Sequence, residues 1–228
     1  MANQLDLEEQ EQLDELKHFW SKYGQLISAM LVVVLASLAL WNGYHYWQRS
    51  QAAQASAMFD EMNRSLASGS LEKTERTFND MKERYPRASY THQAGLALAK
   101  MAADSDKPEV AKAALQWVAD KAGDEAYAAI AQLRLANLYL DAKQYPEAQK
   151  ALDAVKLDAF APLVADRKGD LLLLQGQRDP AKEAYLAAYK KMDERSEYRR
   201  LVRVKLNALG VEPEPAKDAA QKTTDGER

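Results

Sequence analysis

AQLRLANLYLDAKQYPEAQKAL, residues 131–152, is the stretch whose spacing decides the fold. Leu135, Ala136 and Tyr139 share one helical face, Tyr145-Pro146 opens a second helix, and Ala148 and Leu152 recur on its inner side. The stretch therefore reads as two amphipathic helices joined by a short turn. The pattern returns downstream: Ala136 to Gly169, Ala148 to Ala181 and Leu152 to Tyr185 are each 33 residues apart. An earlier copy carries Leu98, Ala99, Ala111 and Leu115, with the last two 37 residues before Ala148 and Leu152. The excess fits a short insertion at residues 121–124. Small residues at Ala136, Gly169, Ala148 and Ala181 let the paired helices approach, and Leu152 and Tyr185 fill the gap to the next pair.

This register resembles the tetratricopeptide repeat, a helical hairpin with a period of about 34 residues. Two positions depart from it: Gln132 stands where Trp is usual, and Phe160 stands near the usual Pro. The expected fold class is all-α, a single transmembrane helix followed by a tetratricopeptide-like helical-hairpin solenoid over residues 49–210. Upstream of the copies, Ala52, Ala55, Phe59, Met62 and Leu66 form a helical stripe. Ser68-Gly69-Ser70 turns the chain, Leu71, Phe78, Met81 and Tyr85 carry the return helix, and Pro86 ends it. Asp179-Pro180 reads as an N-cap followed by a Pro at the first helical position, and Asp106-Lys107-Pro108 marks a matching start. Tyr198, Leu201, Val202, Leu206 and Leu209 form a one-faced capping helix ended by Gly210. Its other face carries Arg195, Arg199, Arg203 and Lys205, either as a solvated face or as a contact for an acidic partner or lipid headgroups. Residues 211–228, rich in Pro, Glu, Lys, Asp and Thr, read as a disordered tail.

Residues 23–48 contain no Asp, Glu, Lys or Arg. From Trp20 to Trp41 a helix rises about 31 Å, which matches a hydrocarbon core of about 30 Å. Phe19, Trp20 and Tyr23 at one end, and Trp41, Tyr44, Tyr46 and Trp47 at the other, suit the two headgroup layers. A buried core helix would need a larger protein around it. A cleaved signal peptide fits poorly, because the preceding residues are long and acidic and Ala53-Gln54-Ala55 lies well past the apolar run. The reading is an uncleaved signal anchor, with Asn42-Gly43 the expected bend. Lys17 and Lys22 on one side balance Arg49 and Arg64 on the other, so flanking charge leaves the orientation open. A short amino-terminal tail before a long carboxy-terminal domain favours a cytoplasmic amino terminus. Residues 1–22, with Leu5, Leu13, Leu16 and Trp20 among six acids from Asp6 to Glu15, form either a solvated lead-in helix or a docking peptide for a basic partner.

The net charge of −3 and pI near 5.7 argue against a nucleic-acid partner. Cysteine is absent, which removes disulfides, thiolate metal sites and cysteine nucleophiles. His18, His45 and His92 lack second ligands at metal spacing, and no nucleophile elbow, phosphate loop or dinucleotide fingerprint occurs. No catalytic residue, metal or cofactor is expected. Carrying over the repeat pattern, the candidate partner-binding groove comprises Lys100, Asp104, Leu133, Asn137, Leu140, Asp141, Asp166, Asp170 and Leu173. These are either merely solvated or line a mixed apolar and acidic groove, and Asp141 and Asp170 speak against clamping a terminal carboxylate.

The order of parts, from the acidic tail ending in KHFWSKYG through one anchor to LANLYLDAKQYPEAQKAL, resembles the YfgM family of ancillary SecYEG translocon subunits. That resemblance implies a single-pass inner-membrane protein with periplasmic repeats. It also implies association with the SecYEG translocon and the membrane-anchored periplasmic chaperone PpiD, and a role in passing unfolded, newly translocated proteins to periplasmic chaperones. A repeat scaffold for another envelope complex is the alternative expectation, and inner-membrane lipid is the expected surround of the anchor.

Overall fold

The computed structural model describes residues 7–213. Residues 1–6, with Leu5 and Asp6 of the acidic tail, and residues 214–228, most of the segment read as disordered, lie outside the described residues. The described residues form helices and turns only, and the chain divides into two compact units, residues 1–53 and 54–228.

Helix α1 runs over Leu7–Ala67. Among the described residues it is the one helix long and apolar enough to cross a membrane. Between Leu26 and Leu40 its large apolar side chains are uncovered: Val33 is 64% exposed and Leu40 76%. Each such side chain left in water forgoes about 1.5–3 kcal/mol of burial free energy, so the segment calls for a non-aqueous surround. Of the two serines in the apolar run, Ser37 donates to the Val33 carbonyl at 2.8 Å. At Asn42-Gly43, where a bend is expected, the helix is unbroken.

In the second unit, α2 (Leu71–Arg84), α3 (Ser89–Asp104), α4 (Pro108–Lys121), α5 (Glu125–Asp141), α6 (Tyr145–Ala154), α7 (Ala161–Leu174), α8 (Arg178–Lys191) and α9 (Glu197–Ala208) follow in order, with a 3-10 turn at Asp158–Phe160. The most extensive packing joins α3 with α4, α5 with α6 and α7 with α8. Each pair is linked by a short turn and is therefore an antiparallel hairpin. These are the hairpins expected from the 33-residue register.

The turns repeat one geometry. Gly69, Asp106, Lys143, Gly176 and Gly210 all take positive φ, between 56° and 79°. At each, the following amide reaches back five residues: Ser70 to Ser65, Lys107 to Ala102, Gln144 to Tyr139, Gln177 to Leu172 and Val211 to Leu206. This is a Schellman closure, which satisfies the last carbonyls of the outgoing helix. Gly69 shares it, so the first turn follows the same rule as the repeats that the spacing revealed. Helix starts are less uniform. Asp124 caps α5 by accepting from the Ala126 amide at 2.8 Å. Asp179 does not cap α8, which starts at Arg178, two residues earlier than expected, with Gln177 at the cap. Asp179 instead lies in the first turn, where its carboxylate opposes the helix dipole and pairs with Lys182 at 3.0 Å.

The core is two clusters. The larger unites Phe78, Met81, Leu98, Leu115, Val118, Leu135, Leu152 and Leu171. The smaller gathers Tyr185, Ala188, Val202, Leu206 and Leu209 around α8 and α9. Close approach depends on missing side-chain atoms: a Cβ on Gly95 would stand 2.5 Å from Val118 Cγ2, and one on Gly169 2.5 Å from the Tyr185 ring. Gly169→Ala therefore forces the ring or the helix aside. The expected loss is about 1–3 kcal/mol in denaturant unfolding. Lys143→Gly, at a turn where a side chain is strained, gains about 1 kcal/mol in the same assay.

Candidate partner-binding surface

Five of the nine sequence-derived groove positions come together. Asn137, Leu140 and Asp141 of α5 and Asp170 and Leu173 of α7 line one open depression of about 470 Å³, with Arg167 and Leu174 completing it. Lys100 lines a second depression beside Ala103, Arg134 and Leu138, and Asn137 borders both. Asp104 pairs with Lys100 at 2.7 Å on the exposed surface. Leu133 is half-buried against the core and borders neither hollow. Arg134 fixes the second depression by donating to the Leu96 carbonyl at 2.9 Å, tying α5 to α3.

Asp166 is not a groove residue. Its side chain is 0% exposed. Arg167 donates to it at 2.6 Å, the Lys205 ammonium at 2.8 Å and the Tyr198 hydroxyl at 2.7 Å. Asp170 belongs to the same cluster, accepting from Lys205 at 2.7 Å, Tyr185 at 2.7 Å and Arg167 at 3.3 Å. Two carboxylates thus face two cations, and this end of the groove is not the acidic surface that spacing suggested. The cause is α9: Lys205 and Tyr198 swing onto α7 from more than thirty residues away. Burial, then the hydrogen bond to Asp170, drive the Tyr185 phenol far above its usual range. Burial and Asp166 together push Tyr198 up to about 12. Both hydroxyls stay protonated and donate at neutral pH. Burial alone would lower the Arg167 guanidinium, but Tyr198, Asp166 and Asp170 outweigh it and hold it above its ordinary value.

The expected basic face of α9 is likewise divided. Lys205 turns into the cluster, and Arg199 lies 4.1 Å from the Tyr189 ring centroid and 3.7 Å from Glu194. Arg195 precedes the helix, and Arg203 remains on the surface. The apolar face differs too: Leu201, expected inside, is 47% exposed. No single-sequence signal separates these roles, because they follow from which way α9 rolls onto α7.

His92 is the one buried imidazole among the described residues. It is 2% exposed, its Nε2–H donates to the Pro86 carbonyl at 3.2 Å, and its Nδ1 has no partner. Trp117 and Tyr127 flank it, each with its ring centroid at 5.8 Å. Burial lowers its pKa below the ordinary 6.5, against the opposing pull of Pro86 and Asp124. Among the described residues no three His, Asp or Glu side chains converge as metal ligands.

Stacked antiparallel hairpins with hollows between successive first helices define a tetratricopeptide-like repeat protein of the kind that holds other polypeptides. The family model for the tetratricopeptide repeat-like domain matches residues 17–211. The ancillary SecYEG translocon subunit of Neisseria gonorrhoeae is 31% identical over 207 residues, covering 89% of this chain and 98% of its own. The protein of the same description in Escherichia coli K12 is 27% identical over 206 residues, covering 89% and 97%. The Haemophilus influenzae one is 26% identical over 206 residues, covering 89% and 98%. No solved structure matches at a comparable level of significance. The chain belongs to the tetratricopeptide repeat-like family and, within it, to the family of ancillary SecYEG translocon subunits.

Two predictions concern this surface. Lys205→Met removes one of the two cations paired with a fully buried carboxylate, leaving Arg167 and Tyr198 on it, and should cost about 1–3 kcal/mol in chemical denaturation. Combined with Asp166→Asn it should cost clearly less than the sum of the two, by about 1 kcal/mol or more. For His92 the unfolded imidazole binds a proton more readily than the folded one. Its contribution is therefore intact above about pH 6.5 and is lost as the pH falls below that value. Between about pH 7.5 and 5 the melting temperature should fall further for the wild type than for His92→Gln, which keeps a donor for Pro86.

Proposed function

We propose that this protein is an ancillary subunit of the SecYEG translocon in the inner membrane, anchored by α1 with its amino terminus in the cytoplasm and its repeats in the periplasm. There the groove between α5 and α7 receives newly translocated polypeptides and passes them to periplasmic chaperones, with PpiD as the membrane-anchored neighbour. The observation that carries this reading is the match to relatives bearing the translocon name over 89% of this chain, beside a family model that spans residues 17–211. The groove suits the task. Leu140, Leu173 and Leu174 offer apolar contacts, and Asn137 and Asp141 offer backbone partners to an extended chain. Such contacts are individually weak, but tethering near a channel exit raises the effective concentration of the client enough for them to suffice. The protein holds its clients and does not transform them.

Photo-crosslinking from position 173 in intact membranes tests the proposal. Adducts to translocon subunits or to translocating chains are expected, and their yield should fall about ten-fold when exposed Leu174 and half-buried Asn137 are both changed to Asp. Neighbours that include no translocon subunit would instead point to a scaffold for another envelope complex. Digestion of the repeats by protease added outside spheroplasts is the expected topology, and protection there would overturn it.

A further inference from the structure

The last helix of a repeat array ordinarily presents a polar outer face to water. Helix α9 does not. Leu201 is 47% and Val204 62% exposed, and with exposed Ala208 they recur by three and four along one side, beginning at Glu197. Arg200 and Arg203 are exposed on the adjoining side, and neither has a hydrogen-bond or ion-pair partner among the described residues. The opposite side, Val202, Leu206 and Leu209, is fully engaged with α8, so the exposed ridge is not a misplaced core.

We infer that α9 is a docking edge for a helix of another protein, one whose apolar stripe is bordered by Asp or Glu. Apolar residues spaced by three and four form the ridge that a second helix accepts in its groove. The residues that follow α9 in the sequence do not supply that helix. Beyond Leu209 the sequence holds one large apolar residue, Val211, and two of the first six residues are Pro. A second copy does not suit either, because two such edges brought together would oppose Arg200 and Arg203 to their own counterparts. An acid-bordered partner turns both arginines from idle charges into rim contacts that fix orientation. A lipid surface fits less well, since the ridge carries no aromatic side chain and its neighbouring side is packed on protein. The inference concerns a different surface from the groove between α5 and α7 and stands independently of what that groove holds.

The test is photo-crosslinking of the full chain in its native membrane from position 204, followed by sequencing of the attached peptide. The expected adduct is a segment of another polypeptide with an apolar stripe and acidic residues within a turn of the attachment point. R200E/R203E, two exposed changes whose effect on folding is checked by circular dichroism, should reduce its yield about ten-fold. Reversing the acids in the identified partner should restore it. An adduct to a second copy of this chain, an adduct to phospholipid, no adduct, or a yield indifferent to R200E/R203E would each overturn the inference.

Discussion

An amphipathic helical hairpin cannot bury both of its stripes by itself. Every other feature of the repeat unit answers that constraint. Each pair must be covered by the next, and the cover must come close enough to exclude water. Closeness is set by what is missing: Gly95 opposite Val118 and Gly169 opposite Tyr185 leave no room for even one methyl group. The Schellman closures at Gly69, Asp106, Lys143 and Gly176 then lead into each following helix through the same turn geometry.

A stack must also stop. Here it stops on polar chemistry as well as on apolar packing. Asp166 and Asp170 of α7 hold Lys205 and Tyr198 of α9 through a partly buried, charge-balanced network, while Val202 and Leu206 close over α8. Such a network adds less net stability than its short distances suggest, because Asp166 was fully desolvated and its partners partly so to form it. What it adds is register. Lys205 has two carboxylates to satisfy, so α9 seats in one place. The same seating leaves Leu201 and Val204 outward.

The hairpins were legible in the sequence because their determinants are local. Ala136, Gly169, Ala148 and Ala181 sit at fixed offsets within one or two helices. The anchor was legible for a similar reason: length, charge exclusion and flanking aromatics all lie in one run of residues. The groove was half legible. Asn137, Leu140, Asp141, Asp170 and Leu173 meet as the repeat pattern places them, since all lie on neighbouring helices of known register. Asp166 sits at an equivalent position, yet apart from the adjacent Arg167 its partners come from α9, 32 and 39 residues away. A neighbouring Arg does not by itself reveal that the carboxylate is buried under α9. The positive-φ turns at Asp106 and Lys143 were hidden because neither residue is Gly, and the cap expected at Asp179 lies two residues earlier, at Gln177, because Pro180 is tolerated in the first turn as well as at its start.

Amide hydrogen exchange of the full chain, read by mass spectrometry across α3 to α9, tests nearest-neighbour stacking most directly. The account predicts that the two helices of each hairpin open together, with α3 to α6 protected longest and α9 released first. Independent opening of α5 and α6, or protection of α9 that outlasts α3 and α4, would contradict it.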